Sequence, residues 1–309
     1  MREALRNARP LVQLLVLVGI GFAGMFVMLS AVVIPFYLAG YDLVALSSAG
    51  SLAQANSAQI WMLKTMQIGQ AIGLFITPYL VYRFVIREDV YTLNPYTIAM
   101  RSAGVFFLSI LLAFPLINFL AEWNSGLNFP VESINQWMHD TEADAERLIK
   151  VFLQMDHIGD LLFNILLIAL IPAVGEEMLF RGTVQPLMLK GLKNHHAAIW
   201  VTAFIFSFIH LQFLGFFPRF LLGALLGYAA HWTGSLWAPM MGHFANNALA
   251  VVVAYFIGVE ALEAEAETFG SKTEQVVYTV LSCIALTAGM WVIYKRRISA
   301  SYGLTPEQK

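Results

Sequence analysis

Apolar residues in this chain gather into long runs. Runs near the twenty residues that a bilayer-spanning helix needs fall at 11–37, 58–86, 102–121, 158–174, 197–214, 217–232, 235–258 and 276–294. The pattern predicts an all-α, polytopic membrane protein with about eight transmembrane helices. The second run is the least uniform, because Lys64 and Gln67 interrupt it; Lys64, near its start, is expected to snorkel to the interface. Segment 122–156, which contains NQWMHDTEADAERLIKVFLQM, predicts an external loop with a helix whose apolar residues lie on the membrane surface and whose acids are solvated.

Composition agrees with this class. Of 309 residues, 59% are hydrophobic and only 12% charged, with a mean hydropathy of +0.68, far from the balance of a soluble domain. A formal charge of −2 gives no reason to expect nucleic acid as a partner. Cys283 is the sole cysteine, so neither an internal disulfide nor a cysteine-based metal site is available. Basic MREALRNAR precedes the first run and SLAQA at 51–55 resembles a cleavage site, but the apolar stretch is about twice the 7–15 residues of a signal peptide. It is expected to remain as a span.

Charges between the runs orient them. Arg2, Arg6 and Arg9, then Arg83, Arg87 and Arg101, then Arg181, Lys190 and Lys193, and finally Lys295, Arg296 and Arg297 fall in alternate connections. The intervening connections carry little Lys or Arg: Arg147 and Lys150 among acids, Arg219, and Lys272 beside Glu260, Glu263, Glu265 and Glu267. The positive-inside rule then predicts a multi-pass protein of the plasma (inner) membrane with both termini cytoplasmic.

Polar residues in or beside the runs concentrate at 176–247, in three patterns. In EEMLFR, Glu177 and Arg181 are spaced i,i+4 on nearly one helix face, in the favourable order for an ion pair, while Glu176 points about a quarter-turn away. Arg181 can thus neutralise Glu177 and leave Glu176 free. FSFIH places His210 four residues after Phe206, and HFANN places His243 and Asn247 at i,i+4. Taken singly these suit an interfacial ion pair, a hydrogen-bonded core histidine and helix-packing polar contacts. Taken together, groups from three spans need one another's polarity in hydrocarbon and would converge on a wet cavity. Such a group suits water activation: a carboxylate as general base, an imidazole to orient the water or hold a metal, and a second histidine with asparagine to donate to an oxyanion.

These three motifs, in order and on separate spans, resemble the EExxxR, FxxxH and HxxxN motifs of the CAAX protease and bacteriocin-processing (CPBP, Abi-type) family of intramembrane proteases. The resemblance covers about 175–250; residues 1–156 add compatible spans. It implies a helical membrane fold with a cytoplasm-facing catalytic cavity and endopeptidase activity, which eukaryotic members direct at prenylated CAAX termini. On this sequence it implies Glu176 as general base, Glu177 with Arg181 organising the site, His210 holding the water, and His243 with Asn247 stabilising the oxyanion. Glu176, His210 and His243 would be the ligands if a divalent metal such as zinc is bound. No HExxH helix occurs.

The resulting division is 1–156 for three spans and the external loop, 157–258 for the catalytic core, and 259–309 for an acidic external loop, the last span and a basic tail. Expected partners are the lipid bilayer and a peptide or membrane-protein substrate, lipidated or not. His139, His157, His195, His196 and His231 are expected at interfaces, and Asp160 and Asn164 lie too far before Glu176 to join it. The alternative functions are a non-catalytic scaffold or immunity-type protein and, further off, a secondary transporter, which would normally show repeated halves.

The charge pattern is tested by single-cysteine labelling at position 190 in a Cys283→Ser background. Protection from an impermeant reagent outside intact cells is expected; ready labelling would invert the orientation.

Overall fold

The computed structural model describes residues 2–41, 57–86, 93, 97–127, 129–259, 261 and 273–297. The 51–55 segment, Arg87, the acidic residues Glu260, Glu263, Glu265 and Glu267 with Lys272, and the tail from 298 lie outside the described residues. All the longer elements are helices: α1 Arg2–Arg6, α2 Pro10–Leu38, α3 Ala58–Ile86, α4 Thr97–Leu112, α5 Phe114–Ser125, α6 Glu132–Phe152, α7 Ile158–Leu192, α8 His195–Phe208, α9 Phe216–Thr233, α10 Trp237–Ile257 and α11 Thr273–Lys295.

Each apolar run becomes a helix, but not each makes a full span. Among the described residues, six helices are long and apolar enough to cross a membrane, and α4 with α5, bent by 53°, would make a seventh. The fourteen residues of α8 reach only about 21 Å at 1.5 Å per residue, short of a hydrocarbon core of about 30 Å. The fourth run, expected to stop at 174, continues to Leu192 as one helix of 35 residues. GEEMLFRG therefore sits midway along α7 rather than at its end. Arg181 is fully buried, so the basic connection that follows rests on Lys190 and Lys193.

In α3 and α7 a widened turn precedes each internal proline. Wide π-type turns occupy Ala71–Ile76, Ile165–Leu170 and Phe180–Val184, and Pro78, Pro172 and Pro186 follow each two residues later. A proline ring collides with the carbonyl one turn back and removes a donor, and a wider turn relieves both. Hydroxyls recover stranded carbonyls: Thr77 Oγ1 donates to Ile72 O at 2.9 Å and Thr183 Oγ1 to Met178 O at 3.2 Å. In an apolar surround each such repair matters.

Helices α3 and α7 run parallel and in register. Lys64 Nζ donates to Asn164 Oδ1 at 3.1 Å, Gly175 abuts Phe75, and Gly182 abuts Tyr79. The expected snorkelling of Lys64 is thus corrected: the ammonium is buried, held by Asn164 and lying 5.4 Å from the Phe163 ring centroid. Asn164 Nδ2 in turn donates to Phe152 O at 2.5 Å, tying the end of α6 to α7. Asp160 accepts from the Asp156 and His157 amides at the start of α7, so both residues serve structure, away from Glu176.

Helix α10 is central, packing on α4, α7 and α9. Helices α2 and α11 carry exposed apolar side chains such as Phe26, Ile284 and Trp291, as lipid-facing helices do. Helix α2 closes on α3 where two glycines meet: a Cβ on Gly24 would stand 2.8 Å from Gly73 O. Gly24→Val should therefore overpack this crossing, at about 1–3 kcal/mol, and lower the unfolding temperature in detergent. Gly19→Val, with nothing within 4 Å of its Cβ, should leave that temperature unchanged.

Candidate active site

Two charged groups with no exposed surface anchor the site. Arg181 Nη1 donates to Glu177 Oε1 at 2.7 Å, and both side chains are fully buried. The guanidinium also donates to Gly223 O on α9 at 2.8 Å and lies 4.9 Å from the Phe206 ring centroid. The sequence spacing anticipated this pairing; what it could not show is a third partner. His243 Nδ1 lies 2.9 Å from the same Glu177 Oε1, so the carboxylate joins α7 to α10 while the guanidinium it pairs with joins α7 to α9.

Glu176 faces the other way. Its side chain is 13% exposed, its Oε2 has no hydrogen-bond partner among the described residues, and His210 Nε2 and His243 Nε2 each lie 3.9 Å from that oxygen. Such a distance is too long for a direct hydrogen bond, yet lets one water sit about 2.8 Å from both atoms of a pair. The other ring nitrogens fix the tautomers. His210 Nδ1 must donate to Phe206 O, at 2.7 Å, and His243 Nδ1 donates to the Glu177 carboxylate. Each Nε2 is thereby aimed at Glu176, as a lone pair when the ring is neutral and as N–H when it is protonated.

Glu176, His210 and His243 offer the donor types of a catalytic zinc centre. Their spacing does not suit one: tetrahedral ligands with bonds of about 2.0–2.1 Å stand about 3.4 Å apart, and no group of three His, Cys, Asp or Glu among the described residues could hold a metal ion. Asn247 departs further from expectation. Its Nδ2 donates to Ile168 O at 3.3 Å, while its Oδ1 accepts from Asn246 Nδ2 at 3.1 Å. Its amide is thus engaged by α7, one helical turn beyond His243.

A cavity of about 540 Å³ opens against Glu176 and His210, with Gln67, Phe75, Ile149 and Pro172 among its walls. Its α3 and α7 residues fall between 63 and 75 and between 168 and 176, so it occupies the half of the bundle nearest residues 58 and 158. Helix α6 covers it through Leu148, Ile149 and Phe152. The basic residues Lys190 and Lys193 lie toward the other end of α7. Glu142 corrects another expectation: instead of being solvated on α6, it accepts from the Leu214 amide at 3.1 Å and from Gln212 Nε2 at 3.4 Å.

Arg219 and Gln212 were not singled out by the motifs. Gln212 lines the cavity beside His210, and Arg219 donates to Gln212 O at 3.2 Å and Gln212 Oε1 at 3.1 Å. The available signal was an arginine next to Pro218 at the start of an apolar run, where a charge is costly unless it serves the interior. At the far end of the bundle His195 stacks on His231 with ring centroids 4.7 Å apart, and His196 lies tilted against His195 at 4.0 Å.

Residues 158–249 match the family model for the Rce1-like type II CAAX prenyl endopeptidases. A relative in Bacillus subtilis (strain 168), the uncharacterized protein YpbD, is 33% identical over 90 residues, covering 28% of this chain and 43% of that protein. The matched region thus spans less than half of that relative's length. No solved structure matches the chain. Over residues 158–249, the segment that carries Glu176, His210 and His243, the chain is similar to the Rce1-like type II CAAX prenyl endopeptidases.

Proposed function

We propose that the protein is an intramembrane endopeptidase in which Glu176 activates a water for attack on a peptide bond. The observation that carries this reading is the unpartnered Glu176 Oε2 flanked at 3.9 Å by the Nε2 atoms of two histidines on different helices. A carboxylate left unpaired in a buried place is costly for a structural role and useful for a general base.

The water is held between Glu176 and His210. Glu176 Oε2 takes its proton as the water oxygen bonds to the carbonyl carbon, and the same carboxyl then gives that proton to the leaving nitrogen as the carbon–nitrogen bond breaks. His243 Nδ1–H is held by Glu177, so the ring, when protonated, turns Nε2–H toward the developing oxyanion as a preorganised donor. Asn247 joins it after releasing Ile168 O. The peptide reaches this point, about midway through the membrane, along the apolar cavity beneath α6. The Lys and Arg distribution supports both termini on the cytoplasmic side of the plasma membrane, with α6 on the opposite side.

Glu176→Ala, His210→Ala and Asn247→Ala should each abolish cleavage of quenched-fluorescent decapeptides with apolar cores while the purified protein stays folded. Full activity in all three would end the protease reading.

The two acids are separated by isosteric changes. Glu177→Gln removes the charge facing buried Arg181 and should lower stability as well as activity, since losing one partner of a buried pair costs about 3–5 kcal/mol. Glu176→Gln should stop cleavage and leave the unfolding temperature unchanged or raised. The reverse pattern in thermal unfolding with parallel cleavage would exchange their roles.

A further inference from the structure

His210 does not sit on a helix. It lies in the 209–215 connection between α8 and α9, and the next residue, Leu211, has a left-handed backbone with φ of 55°. A branched side chain at such a φ is strained, and strain of this kind persists only where surrounding structure enforces it. Three elements enforce it here. From α5, Asn124 Nδ2 donates to Phe213 O at 2.9 Å and its Oδ1 accepts from the Phe217 amide at 2.6 Å. From α6, Glu142 accepts the Leu214 amide and Gln212 Nε2. From α9, Arg219 clamps Gln212 through its backbone oxygen and its side-chain oxygen.

We propose that Glu142 and Arg219 are positioning residues that clamp the 209–215 connection so that His210 Nε2 faces Glu176, making α6 a working part of the site. The inference rests on the hydrolytic reading above. Arg219 makes no ion pair within 4 Å among the described interactions; both of its hydrogen bonds go to Gln212. Guanidinium supplies two parallel donors in a fixed fork, which suits holding one residue in one conformation. Glu142 completes the arrangement from the opposite side, because its two oxygens take one donor from Gln212 and one from Leu214, on either side of Phe213. Neither residue touches the reacting atoms. The region matched by the family model begins at 158, so Glu142 lies outside it.

The test uses the full-length protein in detergent with quenched-fluorescent decapeptides, and Glu176→Gln as the inactive control. Glu142→Ala and Arg219→Ala should each lower kcat at least tenfold while KM stays within threefold, since the cavity walls remain. Glu142→Gln, which keeps an acceptor for the Leu214 amide, should retain kcat within threefold of the parent. Hydrogen exchange at Leu214 should quicken at least tenfold in Glu142→Ala, a reading that needs no cleavage. Unchanged kcat in both alanine variants, a loss confined to KM, a glutamine variant as impaired as alanine, or unchanged exchange would overturn the proposal. With Glu176→Gln inactive, those results would leave the hydrolytic reading standing. If Glu176→Gln cleaves like the parent, that reading falls and the positioning role falls with it.

Discussion

A carboxylate shared by a guanidinium and an imidazole is what the rest of this structure depends on. Glu177 Oε1 takes Arg181 Nη1 at 2.7 Å and His243 Nδ1 at 2.9 Å, with both charged side chains shut away from solvent. An isolated charge at such depth would cost several kcal/mol. The penalty is met because α7 brings the pair together one turn apart, α9 offers the Gly223 carbonyl, and α10 supplies the imidazole. The same contacts fix which nitrogen of His243 turns toward Glu176. Structural neutralisation and chemical orientation are one arrangement, and three helices must be correctly packed for either to exist.

Much of this was legible in the chain. The i,i+4 spacing of Glu177 and Arg181 announced their pairing and left Glu176 as the free acid, and the apolar runs located every long apolar helix. The extent of α7 was not legible: the charges of EEMLFR end a hydropathy run, although a charge paired within the bundle does not end a helix. Lys64 misled in the same way, because its partner Asn164 is a hundred residues distant. Arg219 was counted with the loop charges, and nothing periodic connects it with Gln212, Glu142 or Asn124. Such contacts arise from how helices stack, and sequence patterns report chiefly what happens within one helix.

The wide turns show how an irregular site is built on regular elements. Pro172 and Pro186 bracket Glu176 through Arg181, and the widened turns before them lie at Ile165–Leu170 and Phe180–Val184. The first frees a carbonyl-bearing stretch from which Ile168 O reaches Asn247; the second contains Arg181 itself. The loosened backbone of these stretches finds partners on the facing helix or from nearby hydroxyls. Opposite them, His210 rides on a strained connection pinned from α5, α6 and α9. The two sides of the site are secured by different means, one by helix geometry and one by side-chain clamps.

Action of Glu176 on peptide bonds of membrane-associated proteins is tested by comparing protein termini in membranes from cells that express the parent chain with those from cells that express Glu176→Gln at equal abundance. The expected result is a set of new amino and carboxyl termini, at or near apolar segments, present with the parent and missing with the variant. Identical termini in the two membranes, with both proteins folded, would contradict it.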